Sequence, residues 1–279
     1  MSSLLFLYDL LRWEERDLLS KAREFFDEVS TIHLKSTILP VGNGFRADVA
    51  LQRSSSLVRA LTSASVVESW GVRVVNSAQS LYVSGDKAWT HARLASYRVP
   101  TPRTYIAYDM VSAFDAASKL GYPVVVKPLQ GSWGRLVARA DDDEDLRVII
   151  EHREAMGPSY RIHYIQEYIE KPGRDLRTFC IGDSVPAGIA RESSHWITNT
   201  ARGARSSPLK LDDTLVDLTL RACEATGVEV GGVDVVEDPR RGYLVIEVNG
   251  VPEYKNTVRV TGVDMSSLIL GYLRRVARR

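Results

Sequence analysis

Two cysteines and five histidines are the only thiols and imidazoles in this 279-residue chain. Cys180 lies in an apolar, strand-like stretch and Cys223 in a helical one. Their separation fits neither a CxxC redox pair nor a structural zinc site, so two buried, unpaired thiols are expected. His33, His91, His152, His163 and His195 are scattered, and no two have the helical spacing of a zinc hydrolase. An excess of one charge is also missing: 36 Lys and Arg against 35 Asp and Glu give +1, which implies no nucleic-acid partner. The opening MSSLLFLYDLLRWEERDLL has no basic flank and meets Arg12, Glu14 and Glu15 too soon for a signal peptide or a membrane span. A cytoplasmic protein without a membrane partner is therefore expected. Internal repeats and low-complexity tracts are lacking too.

What is there suits a folded enzyme. Hydrophobic residues make up 44% and charged residues 25%, and the length allows about two domains or three small ones. Leu4 to Tyr8 reads as a strand, Trp13 to Phe26 as a helix, Val49 to Gln52 as a strand before a helix through Val67, and Val72 to Val75 as a further strand. That alternation predicts a parallel α/β domain over 1–85. SGDK opens a helical run, and VPTPRTY with its two prolines is an extended connector. PVVVKP, GSWGR, LVARA and a helix from about Glu144 to Ala155 make a small α+β module within 86–165. YIQEYIE, LRTFCIG, SVPAGIAR, GGVDVVED and YLVIEVNG, with helices at Asp212 to Thr226 and Met265 to Arg278, predict a larger antiparallel-sheet domain over 166–279.

Three groups of residues carry chemistry. The loop Gly131-Ser132-Trp133-Gly134-Arg135 follows a strand ending in Lys127, so flexible backbone amides and two cations are placed to surround a polyphosphate. An ordinary hairpin turn would look the same, because the glycine spacing matches neither a Walker loop nor a dinucleotide fingerprint. Glu247 and Asn249, two apart on one strand, share a face, and with Asp234 they offer the oxygen ligands a magnesium ion prefers. Their flanks Val245, Ile246 and Val248 suggest a central strand. Arg174, Asp175 and Arg177, with Arg191, Asn199 and Arg202, spread charge over neighbouring strands and a loop, where it can hold a transferring phosphoryl group and an oxyanion. His195 and Trp196 either pack or touch a substrate.

In order, Asp86-Lys87, VVKP, GSWGR, QEYIEKPGRDLR, NTARG, and VD followed by IEVNG resemble the ATP-grasp superfamily in its RimK-like branch, over nearly the whole chain. The resemblance implies an ATP-grasp fold and a carboxylate–amine ligase that uses ATP and magnesium, the latter as two ions bridged by Glu247. It implies that Lys87 and Lys127 contact the phosphates under the glycine loop, that Glu167, Tyr168 and Ile169 hold adenine, and that Asp175 and Arg177 lie near the nucleotide. Arg191, Asn199, Thr200 and Ala201 would then line the place where the amino acid meets the terminal phosphate, with Glu253, Tyr254, Lys255, Asn256 and Thr257 on the substrate side.

Within that branch the chain is similar to ligases of lysine biosynthesis that join L-2-aminoadipate to the C-terminal glutamate of the carrier protein LysW through an acyl phosphate. Asn256-Thr257 is the pair associated there with aminoadipate. Asn249-Gly-Val-Pro252 departs from that pattern and leaves dual use of glutamate open. A glutamate–LysW ligase of arginine biosynthesis, a peptide glutamate ligase and a non-catalytic ATP-binding regulator share the same motifs and stay open as well. A homo-oligomer, a tetramer by resemblance, is also expected.

Overall fold

The run Leu4-Leu5-Phe6-Leu7 leaves no polar face for water, so a strand made from it must be covered on both sides. In the computed structural model, which describes residues 1–131, 134–193, 195–196 and 205–277, that strand is β1 (Ser3–Tyr8). It is followed by α1 (Trp13–Phe25), β2 (Glu28–His33), β3 (Val49–Gln52), α2 (Leu57–Glu68), β4 (Arg73–Val75) and α3 (Ala78–Gly85). The strands form a parallel sheet in the order β2-β1-β3-β4. Alternate residues of β1 serve two cores. Leu4 and Phe6 pack with Leu18 and Ala22 of α1, while Leu5 and Leu7 pack with Ala60, Ala64 and Val67 of α2.

The next segment contains α4 (Lys87–Ser96), β5 (Thr104–Ala107), α5 (Met110–Leu120), β6 (Val124–Lys127), β7 (Ala138–Ala140), α6 (Asp143–Ala155) and β8 (His163–Glu167). Its antiparallel sheet, β5-β8-β6-β7, lays Val124, Val126 and Ile165 against Ala117 and Leu120 of α5 and Leu146 and Ile150 of α6. Val125, Lys127 and Gln166 alternate to the opposite face. Asp86 caps α4, its carboxylate accepting from the amides of Ala88 and Trp89. Leu94 of α4 packs in the core of the third sheet rather than against the small one.

That third sheet is built from β9 (Arg174–Ile181), β10 (Ser184–Glu192), β11 (Arg205–Pro208), β12 (Val230–Asp238) and β13 (Gly242–Asn249), in the order β11-β10-β9-β12-β13. Helix α7 (Asp213–Thr226) covers one face through Leu215, Leu218 and Ala222 on Leu176, Val233, Val235 and Val245. The other face has two halves. Phe179, Ile181, Ala187 and Val230 join the core of the parallel sheet together with α9 (Met265–Val276), which follows α8 (Lys255–Thr261). Asp175, Arg177, Arg191, Asp234 and Glu247 occupy the half left uncovered. Asn76 fastens the two bodies, its amide donating to the carbonyls of Val230 and Gly250 and accepting from the amides of Glu229 and Val230.

Two expectations need correction. Strand β13 is an edge strand, not a central one. Its apolar residues Val245 and Val248 point into the α7 core, and the connector protects the edge, Val245 N donating to Pro100 O at 2.9 Å. The two cysteines are not unpaired: Cys180 and Cys223 form a disulfide. Alternation turns Cys180, with Leu176, onto the α7 face, where Cys223 sits among the inward residues of that helix. Spacing along the chain cannot show this, because the packing of helix on sheet closes the 43-residue separation. Closing such a loop restricts the unfolded chain by about 4 kcal/mol. Reduction, or Cys223→Ser, should therefore lower the unfolding midpoint in urea while leaving the far-ultraviolet circular dichroism unchanged; an unchanged midpoint would contradict that contribution.

Candidate active site

The uncovered half of the large sheet faces the polar side of the small sheet, and two cavities meet between them. Register explains the first set of charges. Arg177 of β9 lies opposite Asp234 of β12, and Asp234 lies opposite Glu247 of β13. One row away, Arg191 of β10 lies opposite Asp175 of β9. Side chains in such rows, and two residues apart on a strand, share one face. Arg177 forms a two-pronged pair with Asp234, Nε to Oδ1 at 2.6 Å and the terminal nitrogen to Oδ2 at 2.8 Å. Arg191 reaches Asp175 at 2.5 Å and Asp234 at 3.2 Å. Arg191, Asp175 and Asp234 are all buried. Burial alone would raise the Asp234 carboxyl, but Arg177 and Arg191 outweigh it and hold it below the usual carboxylate range.

A bulge in β13 shapes the far wall. Asp234 pairs with Glu247 and Val235 with Val245, so Ile246 is the extra residue, and Ile246 and Glu247 both line the first cavity. No hydrogen bond or ion pair among the described residues engages the Glu247 carboxylate. Asn249, two residues on, lines the second cavity beside Glu247, as strand alternation predicts.

The first cavity has two kinds of wall. Val125 and Val137 from the small lobe and Val236 and Ile246 from the large one form an apolar slot, bordered by the chain Glu167-Tyr168-Ile169. A slot of that kind suits a flat heterocyclic base. The other wall carries Lys87, Lys127, Gly131, Gly134 and Arg135. Burial and the neighbouring Lys87 bring the Lys127 ammonium down to about 8. Lys87 Nζ donates to the carbonyl of Gly131 at 3.0 Å. Gly131 has φ +136°, a backbone conformation that favours glycine. The Glu167 carboxylate is taken by Arg103 at 2.8 Å and Arg241 at 2.6 Å, which hold it below the usual carboxylate range although burial opposes them. Tyr168 is covered by Arg139 and lies edge-on to Trp196.

The second cavity, of 520 Å³, shares Lys87, Gly131, Arg191, Asp234 and Glu247 with the first. Its other walls include Arg177, Asn249, Glu253 and Asn256, and it reaches into the parallel sheet at Arg12, Ser54 and Ser55. The segment leading to α8 is fixed by α1: Glu14 accepts from the amides of Tyr254 and Lys255, Arg12 reaches Glu253 at 3.0 Å, and buried Arg53 donates to the Pro252 carbonyl.

Most of the residues anticipated from sequence therefore converge. Lys87, Lys127, Gly131, Gly134, Arg135, Glu167, Tyr168, Ile169, Asp175, Arg191, Asp234 and Glu247 line the first cavity. Arg177, Asn249, Glu253 and Asn256 line the second. Tyr254, Lys255 and Thr257 line neither: Tyr254 is buried with its hydroxyl on Ser266, Lys255 is exposed, and Thr257 is buried. Ser132, Trp133, Asn199, Thr200 and Ala201 lie outside the described residues. Sequence reasoning missed Arg12, Ser54 and Ser55. Their signal was their place after β1 and β3, since ligands gather at the carboxyl ends of parallel strands. It also missed Gln166, which the QEYIE stretch contains.

The oxygen donors suit a hard divalent cation. Among the described residues no group of three or more His, Cys, Asp or Glu side chains could hold a metal ion by itself. Glu247 and Asn249 supply one carboxylate and one amide oxygen on one face, as expected where phosphates complete the shell. Asp234 adjoins them but already has both oxygens on arginine.

Comparisons with known proteins agree with this arrangement. A model of the RimK-like ATP-grasp domain matches residues 84–273, and one of the LysX preATP-grasp domain matches residues 4–83. The chain is 45% identical over 271 residues to the alpha-aminoadipate–LysW ligase LysX of Sulfolobus acidocaldarius, covering 95% of this chain and 98% of that one. It is 36% identical to the glutamate–LysW ligase ArgX of the same organism, covering 95% and 96%. A RimK domain ATP-grasp protein from Sphaerobacter thermophilus superposes with a TM-score of 0.78 at 25% identity, over 98% of this chain and 99% of the other. No helix among the described residues is long and apolar enough to cross a membrane.

Proposed function

The chain belongs to the RimK-like ATP-grasp family, and from that premise we propose that it ligates the amino group of L-2-aminoadipate to the side-chain carboxylate of the C-terminal glutamate of LysW, using ATP. The observation that supports the chemistry is the junction of the two cavities at Lys87, Arg191, Asp234 and Glu247. A nucleotide in the first cavity and a carboxylate in the second would meet there. The higher identity to LysX than to ArgX supports aminoadipate over glutamate.

Adenine lies in the apolar slot against Tyr168 and Ile169, and Lys87, Lys127 and the glycine loop hold the phosphates. Glu247 and Asn249 would hold magnesium, with Asp234 beside them. Bound there, magnesium would supply charge neutralisation on the phosphate oxygens. The glutamate carboxylate of the carrier attacks the γ-phosphorus, forming an acyl phosphate and releasing ADP. Arg177 and Arg191 are fixed by carboxylates and need no rearrangement as charge builds. The amine of aminoadipate then attacks the acyl carbon, loses a proton, and expels phosphate to leave an isopeptide bond.

A coupled assay of ADP release tests the proposal. Sustained release, beyond one equivalent per enzyme, should require LysW and the amino acid together; sustained release that ignores both would contradict it. Asn256 is the member of the Asn256-Thr257 pair that faces the cavity, so Asn256→Gly alone should shift the ratio of aminoadipate to glutamate kcat/KM by about tenfold toward glutamate, the effect of one methylene. An unchanged ratio would remove Asn256 from the specificity site.

A further inference from the structure

Lys127 is one end of a hydrogen-bonded chain that leaves the small sheet and ends on α4. Its ammonium donates to Gln166 Oε1 at 2.6 Å. That contact fixes the amide, because a flipped Gln166 would turn N–H groups toward the ammonium. Gln166 Nε2 then donates to the Tyr164 hydroxyl at 2.9 Å and to Thr104 Oγ1 at 3.0 Å. Tyr164 in turn donates to His91 Nδ1 at 2.8 Å, which leaves His91 Nε2 to donate to the Pro102 carbonyl at 3.0 Å. Tyr164 is fully buried and Gln166 is 3% exposed. Every donor points the same way, and a neutral His91 at the far end is consistent with that direction: burial brings it down to about 4.

The ends of the chain lie on different bodies. Lys127 and Gln166 belong to the small sheet, whereas α4 packs through Leu94 in the core of the large one. Lys87 begins α4 four residues before His91, one helical turn away on the same side. The spacing of the two lysine ammoniums is thus tied to this line of hydrogen bonds, alongside the contacts of Lys87 with the Leu129 and Gly131 carbonyls. We infer that Gln166 is a positioning residue for nucleotide polyphosphate, holding Lys127 in register with Lys87 through Tyr164 and His91. This rests on the nucleotide site of the proposed function. Gln166 lines the first cavity, and in that arrangement its effect on the phosphates comes through Lys127.

Isothermal titration with magnesium and either AMPPNP or AMP separates this from a merely structural role, and does not depend on ligation. Gln166→Met keeps the chain length and removes the amide; it should weaken AMPPNP on the order of tenfold, the effect of one lost hydrogen bond to a charged group, and leave AMP within about twofold. Tyr164→Phe leaves Lys127 its contact with Gln166 and breaks the line to His91; it too should weaken AMPPNP more than AMP. Equal weakening of both nucleotides, no weakening by Gln166→Met, or AMPPNP binding by Tyr164→Phe as tight as by the unaltered protein would each overturn the inference. Failure of the unaltered protein to bind AMPPNP would overturn the nucleotide site itself, and the inference with it. Normal AMPPNP binding without ligation of LysW would overturn only the proposed function.

Discussion

Glu247→Ala should lower the ligation rate by about a thousandfold or more, the loss expected when several kcal/mol of charge stabilisation on a transferring phosphoryl group disappear. Glu247 stands at the junction of both cavities, and no hydrogen bond or ion pair among the described residues occupies its carboxylate. Asp234 cannot readily substitute, because both of its oxygens are held by Arg177 and one also by Arg191. The same lack of partners predicts little structural cost, so the urea midpoint of Glu247→Ala should stay close to that of the unaltered protein. Quenched-flow or steady-state ligation alongside that unfolding curve checks both halves. Near-normal turnover would remove Glu247 from the metal site, and a large fall in the urea midpoint would contradict the idea that its carboxylate is kept for a ligand.

Arg191→Leu should have the larger effect on stability. Arg191 is 2% exposed and lies between two buried carboxylates, Asp175 at 2.5 Å and Asp234 at 3.2 Å. Removing one partner from such a cluster leaves charge in a low-dielectric interior and costs about 3–5 kcal/mol. Asp234 keeps Arg177, and Asp175 keeps Lys171 at 3.8 Å but loses the shorter contact with a guanidinium. Adding Asp175→Asn to Arg191→Leu should therefore recover part of the lost stability, because it removes the carboxylate whose compensation has weakened most. Unfolding curves of the single and double variants decide the matter. An unchanged midpoint in Arg191→Leu, or no recovery in the double variant, would show that the row does not behave as a compensated charge cluster. Activity should fall in both variants, since Arg191 lines both cavities.

Legibility from sequence followed the range of the physics. Strand alternation is local, so β1, β3 and the shared face of Glu247 and Asn249 were readable directly. Helix α7 was readable to within one residue at its start, where Asp212 is the cap. Partners brought together by packing were not. The disulfide joins residues 43 apart, and the edge position of β13 depends on where the connector at Pro100 runs. An apolar flank looks the same on a central strand and on an edge strand with one covered face.

The site shows the same division. Motif order pointed to the cations and carboxylates that converge on the two cavities, because these lie on strands whose registers bring equivalent positions into rows. Tyr254 and Thr257 stand in the stretch that resemblance assigns to substrate, yet α1 holds that stretch so that Asn256 and Glu253 face the cavity and their neighbours do not. The contribution of Arg12 and Ser54 from the parallel sheet could be anticipated only from topology. Gln166 needed the hydrogen-bond chain itself.

Intact-mass analysis of LysW after incubation with the purified protein, ATP and magnesium, with L-2-aminoadipate and glutamate in separate reactions, tests the central claim most directly. A single aminoadipate increment on LysW, dependent on ATP and accompanied by little glutamate product, is the predicted result. Glutamate as the preferred increment, serial additions, or an unmodified carrier beside normal nucleotide binding would contradict it.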